Sequence, residues 1–194
     1  MSLREQVYSV LVVSASEKFN QALPEFFPVP GFSPLNIVSN VSSAKRAVAE
    51  RDFDLVIVNS PLPDESGIRF SIDTATANNS VVLFLTRPEQ YDEAFDRLAE
   101  HGVFLMQKPV SRLTFQLAAN WLVSARERVR KTEKKTQSIE AKMNEIRLVN
   151  RAKWLLISEL KMTEPDAHRY IEKQAMDRCI PKRQIAEEII KTYG

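Results

Sequence analysis

The sequence predicts an α/β protein. It should form a doubly wound, parallel five-stranded sheet, followed by a long coiled-coil helix and a small three-helix C-terminal domain. Three observations predict this. Short β-branched apolar runs alternate with helix-like segments as far as Pro109, and such alternation gives a parallel sheet covered by helices on both faces. From Ser111 to about Leu160 neither Gly nor Pro interrupts a helical pattern. Two further short amphipathic patterns close the chain, and neither can bury its apolar stripe alone.

The strands follow in order. VYSVLVV, Val7 to Val13, is short and β-branched, as a buried strand should be. Pro34 to Val38 is assigned as a strand mainly because the alternation requires one. DLVIV, SVVLFLT (Ser80 to Thr86) and the strand within GVFLMQKP (Gly102 to Pro109) complete the five. Between them, Ser42 to Arg51 places Ala44, Ala47 and Val48 at helical spacing. Glu89 to His101 does the same with Tyr91, Ala94, Phe95 and Leu98.

In the long helix Ala118, Leu122, Ala125, Val129, Thr132, Thr136, Ile139, Met143, Ile146 and Asn150 are separated by alternating steps of four and three. That is a coiled-coil seam, weakened at the threonines, with Asn150 placed to fix register. A parallel homodimer through Leu122, Ala125, Val129, Ile139, Met143, Ile146 and Asn150 is expected. The competing reading is a solitary amphipathic helix packed on its own domain. Beyond it Thr163 should cap a helix, with Pro165 in the first turn and Asp166 as the capping-box acid. Its apolar face is Ala167, Tyr170, Ile171, Ala175 and Met176. Pro181 opens the last helix, with Ile185, Ala186, Ile189 and Ile190 inward.

Composition narrows the function. The 194 residues are 44% hydrophobic and 27% charged, as in an ordinary soluble protein. No apolar run is long enough to span a membrane, and MSLREQ carries no signal-peptide pattern. The single cysteine, Cys179, excludes an internal disulfide framework, fits a cytoplasmic location and is read as a packing or surface residue. The net charge of +2 hides a division. Met1 to Asn120 holds 10 Lys and Arg against 14 Asp and Glu, whereas Trp121 to Gly194 holds 17 against 11. An acidic first part joined to a basic second part suggests two modules, the second meeting an anionic partner.

Ligands of open parallel sheets bind outside the carboxyl ends of the strands, which gathers Ser14, Asn59, Thr86 and Lys108 around one crevice. Over roughly Gln6 to Ala119 the chain resembles the receiver domain of bacterial response regulators, a flavodoxin-like fold. That family has an acidic pair after its first strand, a phosphoaccepting aspartate after the third, Ser or Thr after the fourth and Lys-Pro after the fifth. Here VVSAS supplies Ser14 and Ala15 for the acids, VIVNSPLP supplies Asn59 for the phosphoacceptor, LFLT supplies Thr86, and MQKP supplies Lys108. Mg²⁺ usually requires one or two carboxylates, and an amide lacks the oxygen anion that forms an acyl phosphate. Glu17, Asp64 and Glu65 lie nearby in sequence but not at strand ends. The expectation is a pseudo-receiver with no metal, no cofactor and no catalytic residue. Lys108 either bonds the Asn59 amide oxygen and neighbouring backbone, or points into solvent.

From about Glu140 to Tyr193 the chain resembles the ANTAR domain of antitermination regulators. The resemblance rests on Ala152, Lys153, Leu156, Ala167, Ile171, Ala175, Met176, Ile185 and Ala186 within NRAKWLLISELKMTEPDAHRYIEKQAMDRCIPKRQIAEEII. Trp154 stands where many members have Gly; it either widens local packing or offers an aromatic surface, and its place after the seam favours packing. The resemblance implies a protein that binds paired hairpins of a nascent leader transcript and prevents termination. Arg147, Arg151, Lys153, Arg169, Lys173, Arg178, Lys182 and Arg183 are the candidate RNA contacts. His168 and Tyr170 add stacking possibilities, Tyr170 fitting the core better by its spacing.

The reading is therefore a pseudo-receiver over residues 1–119, a coiled-coil linker over 120–149 and an ANTAR domain over 150–194. Its partners are RNA, a second copy of the chain and a possible regulatory protein at the receiver, with no membrane. A phosphorylation-independent protein-interaction adaptor and a DNA-binding response regulator are the alternatives. No acid–base pair or metal cluster suggests an enzyme.

Overall fold

A computed structural model of the protein describes residues 6–27, 31–77 and 79–194. Five strands, β1 (Tyr8–Val13), β2 (Phe32–Val38), β3 (Leu55–Asn59), β4 (Val81–Thr86) and β5 (Phe104–Gln107), pair in the order β2-β1-β3-β4-β5. Every pairing is parallel. β3 and β4 are buried along their whole length, as continuous apolar runs must be when helices cover both faces. β2 starts earlier than its sequence suggested, at Phe32. It is an edge strand, where Pro34 sits without breaking a central ladder.

The two-residue period of a strand divides the core. Val10, Val12, Leu55, Ile57, Leu83 and Leu85 face one way, against Leu23 and Phe26 of α1 (Glu17–Phe26) and Phe115, Ala119 and Leu122 of α5 (Arg112–Leu160). Leu11, Val13, Val56, Val58, Val82 and Phe84 face the other, against α2 (Val41–Glu50), α3 (Ile68–Ala77) and α4 (Tyr91–Leu98). Each such Leu, Val or Phe contributes about 1.5–3 kcal/mol by leaving water. In α4 the expected stripe is only partly right: Ala94 and Leu98 are buried, but Phe95 is 47% exposed.

α5 is one continuous helix, as the absence of Gly and Pro predicted. Its first part is not a free seam. Ala118 and Leu122 are buried, and Ala125 and Val129 pack on the core beneath the sheet. A stripe at steps of four and three serves equally well to cover a helix's own sheet. This corrects the dimer assignment for Leu122, Ala125 and Val129. The exposed apolar residues there are Leu113, Leu117 and Trp121 instead. The chain divides into compact units between Arg130 and Lys131, within α5.

A polar clamp fixes this part of α5. Asp54, just ahead of β3, accepts hydrogen bonds from the backbone N–H and hydroxyl of Ser9 (3.0 and 3.1 Å). It also accepts from Arg126 and Arg130, each at 2.9 Å. Glu127 accepts from Arg130 at 2.8 Å and from the Tyr8 hydroxyl at 3.1 Å. Burial pushes the Asp54 carboxyl up, but the Ser9 N–H and the two guanidiniums outweigh it and hold the group below its usual range. Burial, followed by the bond to Glu127, pushes the Tyr8 hydroxyl up to about 12.

The second unit is a three-helix arrangement of the end of α5, α6 (Glu164–Asp177) and α7 (Lys182–Tyr193). Its core is Ala152, Leu156, Ala167, Ile171, Ala175, Ile185, Ala186 and Ile189. Thr163 caps α6 as predicted: its hydroxyl accepts from the Asp166 N–H and donates to the Asp166 carboxylate at 2.6 Å. The buried face of α6 is narrower than expected, because Ala167, Ile171 and Ala175 recur at steps of four. Tyr170 and Met176 fall outside that row and are 39% and 77% exposed.

Candidate functional site

The crevice outside the carboxyl ends of β1, β3 and β5 is organised around Asn59, which is buried. Its amide nitrogen donates to the Ser14 hydroxyl at 3.0 Å, and its oxygen accepts from the Lys108 ammonium at 2.9 Å. Lys108 also donates to the Ser60 carbonyl. Of the two roles open to Lys108, the bonded one is therefore found. The amide thus bridges Ser14 and Lys108 as donor and acceptor without adding charge. Burial, followed by the nearby charge of Arg87, lowers the Lys108 pKa.

Ala15, Asn59 and Lys108 line a cleft of about 490 Å³, together with Lys18, Phe19 and Arg87. Ser14 is buried behind it. Thr86, the remaining predicted site residue, lines a smaller, separate pocket with Ser60 and Phe84. Its backbone carbonyl accepts from the backbone N–H of Lys108 at 2.9 Å. Two of the three nearby acids are used elsewhere, and Glu17 sits in the first turn of α1. Asp64 caps α2, accepting from the N–H groups of Val41 (3.0 Å) and Ser42 (2.9 Å), which hold its carboxyl at about 2. Glu65 pairs with Lys45 at 2.8 Å. The Mg²⁺ that a receiver fold implies does not fit the donor set at these strand ends, which contains no carboxylate. Gly67 closes the loop after β3 at φ +82°, and a Cβ there would lie 2.9 Å from a Val58 methyl.

In the second unit the eight predicted RNA-contact residues fall into two groups. Lys153 pairs with Glu164 at 2.6 Å, Lys182 with Glu172, Arg178 with Glu188 through both nitrogens, and Arg183 with Glu187 at 2.8 Å. Arg147 and Arg151, one turn apart on α5, and Arg169 and Lys173, one turn apart on α6, are exposed. None of these four has an acidic partner among the described residues. His168 lies 3.3 Å from Glu172. Trp154, read as a packing residue, is 70% exposed, and Ile139, Met143 and Ile146 are each about half exposed.

Residues 137–190 match the ANTAR domain family. The C-terminal unit carries an ANTAR domain. Over 189 residues the chain is 28% identical to the transcriptional regulatory protein PdtaR of Mycobacterium tuberculosis, covering 95% of this chain and 90% of that protein. Among solved structures it is similar to the signal receiver domain of an HD domain-containing protein from Pseudomonas fluorescens Pf-5. The TM-score is 0.57 at 20% identity, covering 64% of this chain and 92% of that one. A response regulator receiver domain from Clostridium thermocellum gives a TM-score of 0.54 at 20% identity, covering 62% and 97%. The architecture is therefore a receiver fold followed by an ANTAR domain. No helix of the described residues is long and apolar enough to cross a membrane.

What sequence reasoning missed lies around these sites. The Asp54 clamp joins residues far apart in sequence, and no motif announces it. Arg87 follows directly on β4, and only the fold brings it to Lys108. The acidic partners of Lys153, Arg178 and Lys182 became visible only when α6 and α7 were placed, whereas Arg183 and Glu187 lie four apart in α7.

Proposed function

We propose that the chain is a transcription antiterminator that binds paired hairpins of a nascent leader RNA as a homodimer. In this reading its receiver unit forms no acyl phosphate. The observation that carries it is the set of exposed cations on the ANTAR domain with no acidic partner among the described residues, Arg147, Arg151, Arg169 and Lys173. They are available to phosphate without first giving up a carboxylate. Of the paired four, Arg178 and Arg183 are exposed and Lys182 partly so. Their ion pairs are of the kind that add little to stability, so they can exchange carboxylate for phosphate. The Lys153 side chain is only 18% exposed and is the least accessible of the four. Trp154 offers an exposed aromatic face of the type on which unpaired loop bases stack.

Dimer formation is supported by Ile139, Met143 and Ile146, which leave apolar surface in water at steps of four and three. The seam so proposed is confined to the ANTAR unit, with Asn150 beside it. Absence of phosphorylation is supported by the crevice: Asn59 has no carboxylate nucleophile, and its oxygen already accepts from Lys108.

The test is RNA binding by the full chain, measured against salt. A two-hairpin RNA should bind more tightly than one hairpin or duplex DNA of equal length, because the second contact of a dimer is intramolecular. Arg147→Ala and Arg169→Ala should weaken all RNAs alike and flatten the salt slope by about 0.7 per lost phosphate contact. Ile139→Asp with Ile146→Asp should give monomers by light scattering and abolish the two-hairpin advantage. Equal affinity for all three nucleic acids would favour the protein-interaction adaptor.

A further inference from the structure

With its acids replaced, the receiver crevice keeps the cations that an acidic site would have balanced. Lys18, Arg87 and Lys108 line one cleft of about 490 Å³, and no carboxylate is among its lining residues. Neither Lys18 nor Arg87 makes an ion pair among the described residues. Lys108 spends two of its three N–H donors on neutral oxygens, those of Asn59 and Ser60, so one donor and the whole charge remain unspent. The cleft also borders the N-terminus of α1, where Glu17 of the first turn offsets the partial positive charge of the helix without itself lining the cleft. Part of the lining is apolar: Phe19, Phe26 and Val110 contribute to it, with Phe26 held by stacking on Phe115 at 4.5 Å between ring centres. A volume of this size with a partly apolar lining and a few convergent polar groups is the ordinary form of a small-molecule site.

We propose that this cleft reversibly binds a small organic phosphate. The phosphate would lie among Lys18, Arg87 and Lys108, and the apolar body along Phe19, Phe26 and Val110. A dianion there supplies the counter-charge that Asn59 cannot, and relieves the repulsion between Arg87 and Lys108. The inference rests on the reading that the crevice forms no acyl phosphate. It differs from that reading in making the crevice a ligand sensor, not merely an inactive relic.

The experiment is calorimetric titration of the full chain with inorganic phosphate and with phenyl phosphate at fixed ionic strength, followed by intact mass. Saturable binding of both is expected, with phenyl phosphate about tenfold tighter because its ring leaves water on the apolar part of the lining. Arg87→Gln, at an exposed position, should weaken both by about tenfold, and Lys108→Met should do at least as much. Phosphate also stabilises proteins by exclusion from their surfaces, so Arg87→Gln is the deciding control. Equal binding by that variant and the wild type, or no saturable binding at millimolar concentrations, would overturn the proposal. Phenyl phosphate binding no better than inorganic phosphate would overturn the organic ligand class. A mass increase from a covalent phosphoryl group after a separate incubation with acetyl phosphate, an activated donor, would instead overturn the acyl-phosphate reading on which the inference rests.

Discussion

Strand β3 ends in two different polar groups. Ahead of it, Asp54 gathers two arginines and both donors of Ser9. At its other end, Asn59 joins Ser14 to Lys108. The first group balances charge as well as geometry, because two carboxylates, Asp54 and Glu127, meet two guanidiniums. The second satisfies geometry alone, since a neutral amide leaves the lysine uncompensated. Hydrogen bonds are thus enough to keep a shape, whereas holding a helix against a sheet through half-buried arginines takes an anion.

The largest test of this contrast removes the anion. Asp54→Asn leaves Arg126 and Arg130 without their shared partner and should cost about 3–5 kcal/mol, as broken buried pairs do. A lower urea midpoint would report it, and adding Arg126→Met should recover part of the loss. The pH dependence has a fixed sign. The folded Asp54 titrates below its unfolded value of about 3.9, so its stabilisation is present above that value and disappears as pH falls through the folded pKa. The advantage of the wild type over Asp54→Asn should be constant at neutral pH and shrink only in acid.

At the other end Asn59→Ala should cost less, about 1–3 kcal/mol, because Ser14 keeps the Ser16 N–H and Lys108 keeps the Ser60 carbonyl. Asn59→Asp sharpens the comparison further by restoring a carboxylate beside Lys108. It should still leave the intact mass unchanged after acetyl phosphate, since Ser14 and Ala15 add no acid to hold a metal. Phosphoryl uptake by that variant would mean that the missing pair is dispensable. The smallest effect is expected from Asp64→Asn, which weakens an exposed cap and should lower the melting temperature slightly while leaving the crevice intact.

Most of the fold was legible because period and punctuation are local. The runs ending at Val13, Asn59 and Thr86, the uninterrupted stretch after Ser111 and the Thr163 cap each carry their signal within a few residues. β2 was weak because an edge strand with Pro34 resembles a loop. The site was legible to the extent that strand ends fix positions: Asn59 and Lys108 meet as expected, but Thr86 turns into another pocket. The long helix misled for a physical reason. Leu122 and Ile146 share one spacing, yet Leu122 is buried and Ile146 is 59% exposed, and spacing alone does not say what a stripe packs on. Basic residues misled similarly, since Arg178 and Arg151 look alike in sequence while Glu188 engages only the first.

The clamp also bears on how the gene can be cut and rejoined. A chimera that exchanges the ANTAR domain is naturally spliced where the receiver resemblance ends, at Ala119. That splice discards Leu122, Ala125 and Val129 from beneath the sheet and takes Arg126 and Arg130 from Asp54. The portable receiver module therefore extends to Arg130. Recombination upstream of that residue transfers a broken half, while recombination just after it transfers a cassette that carries its own counter-charges.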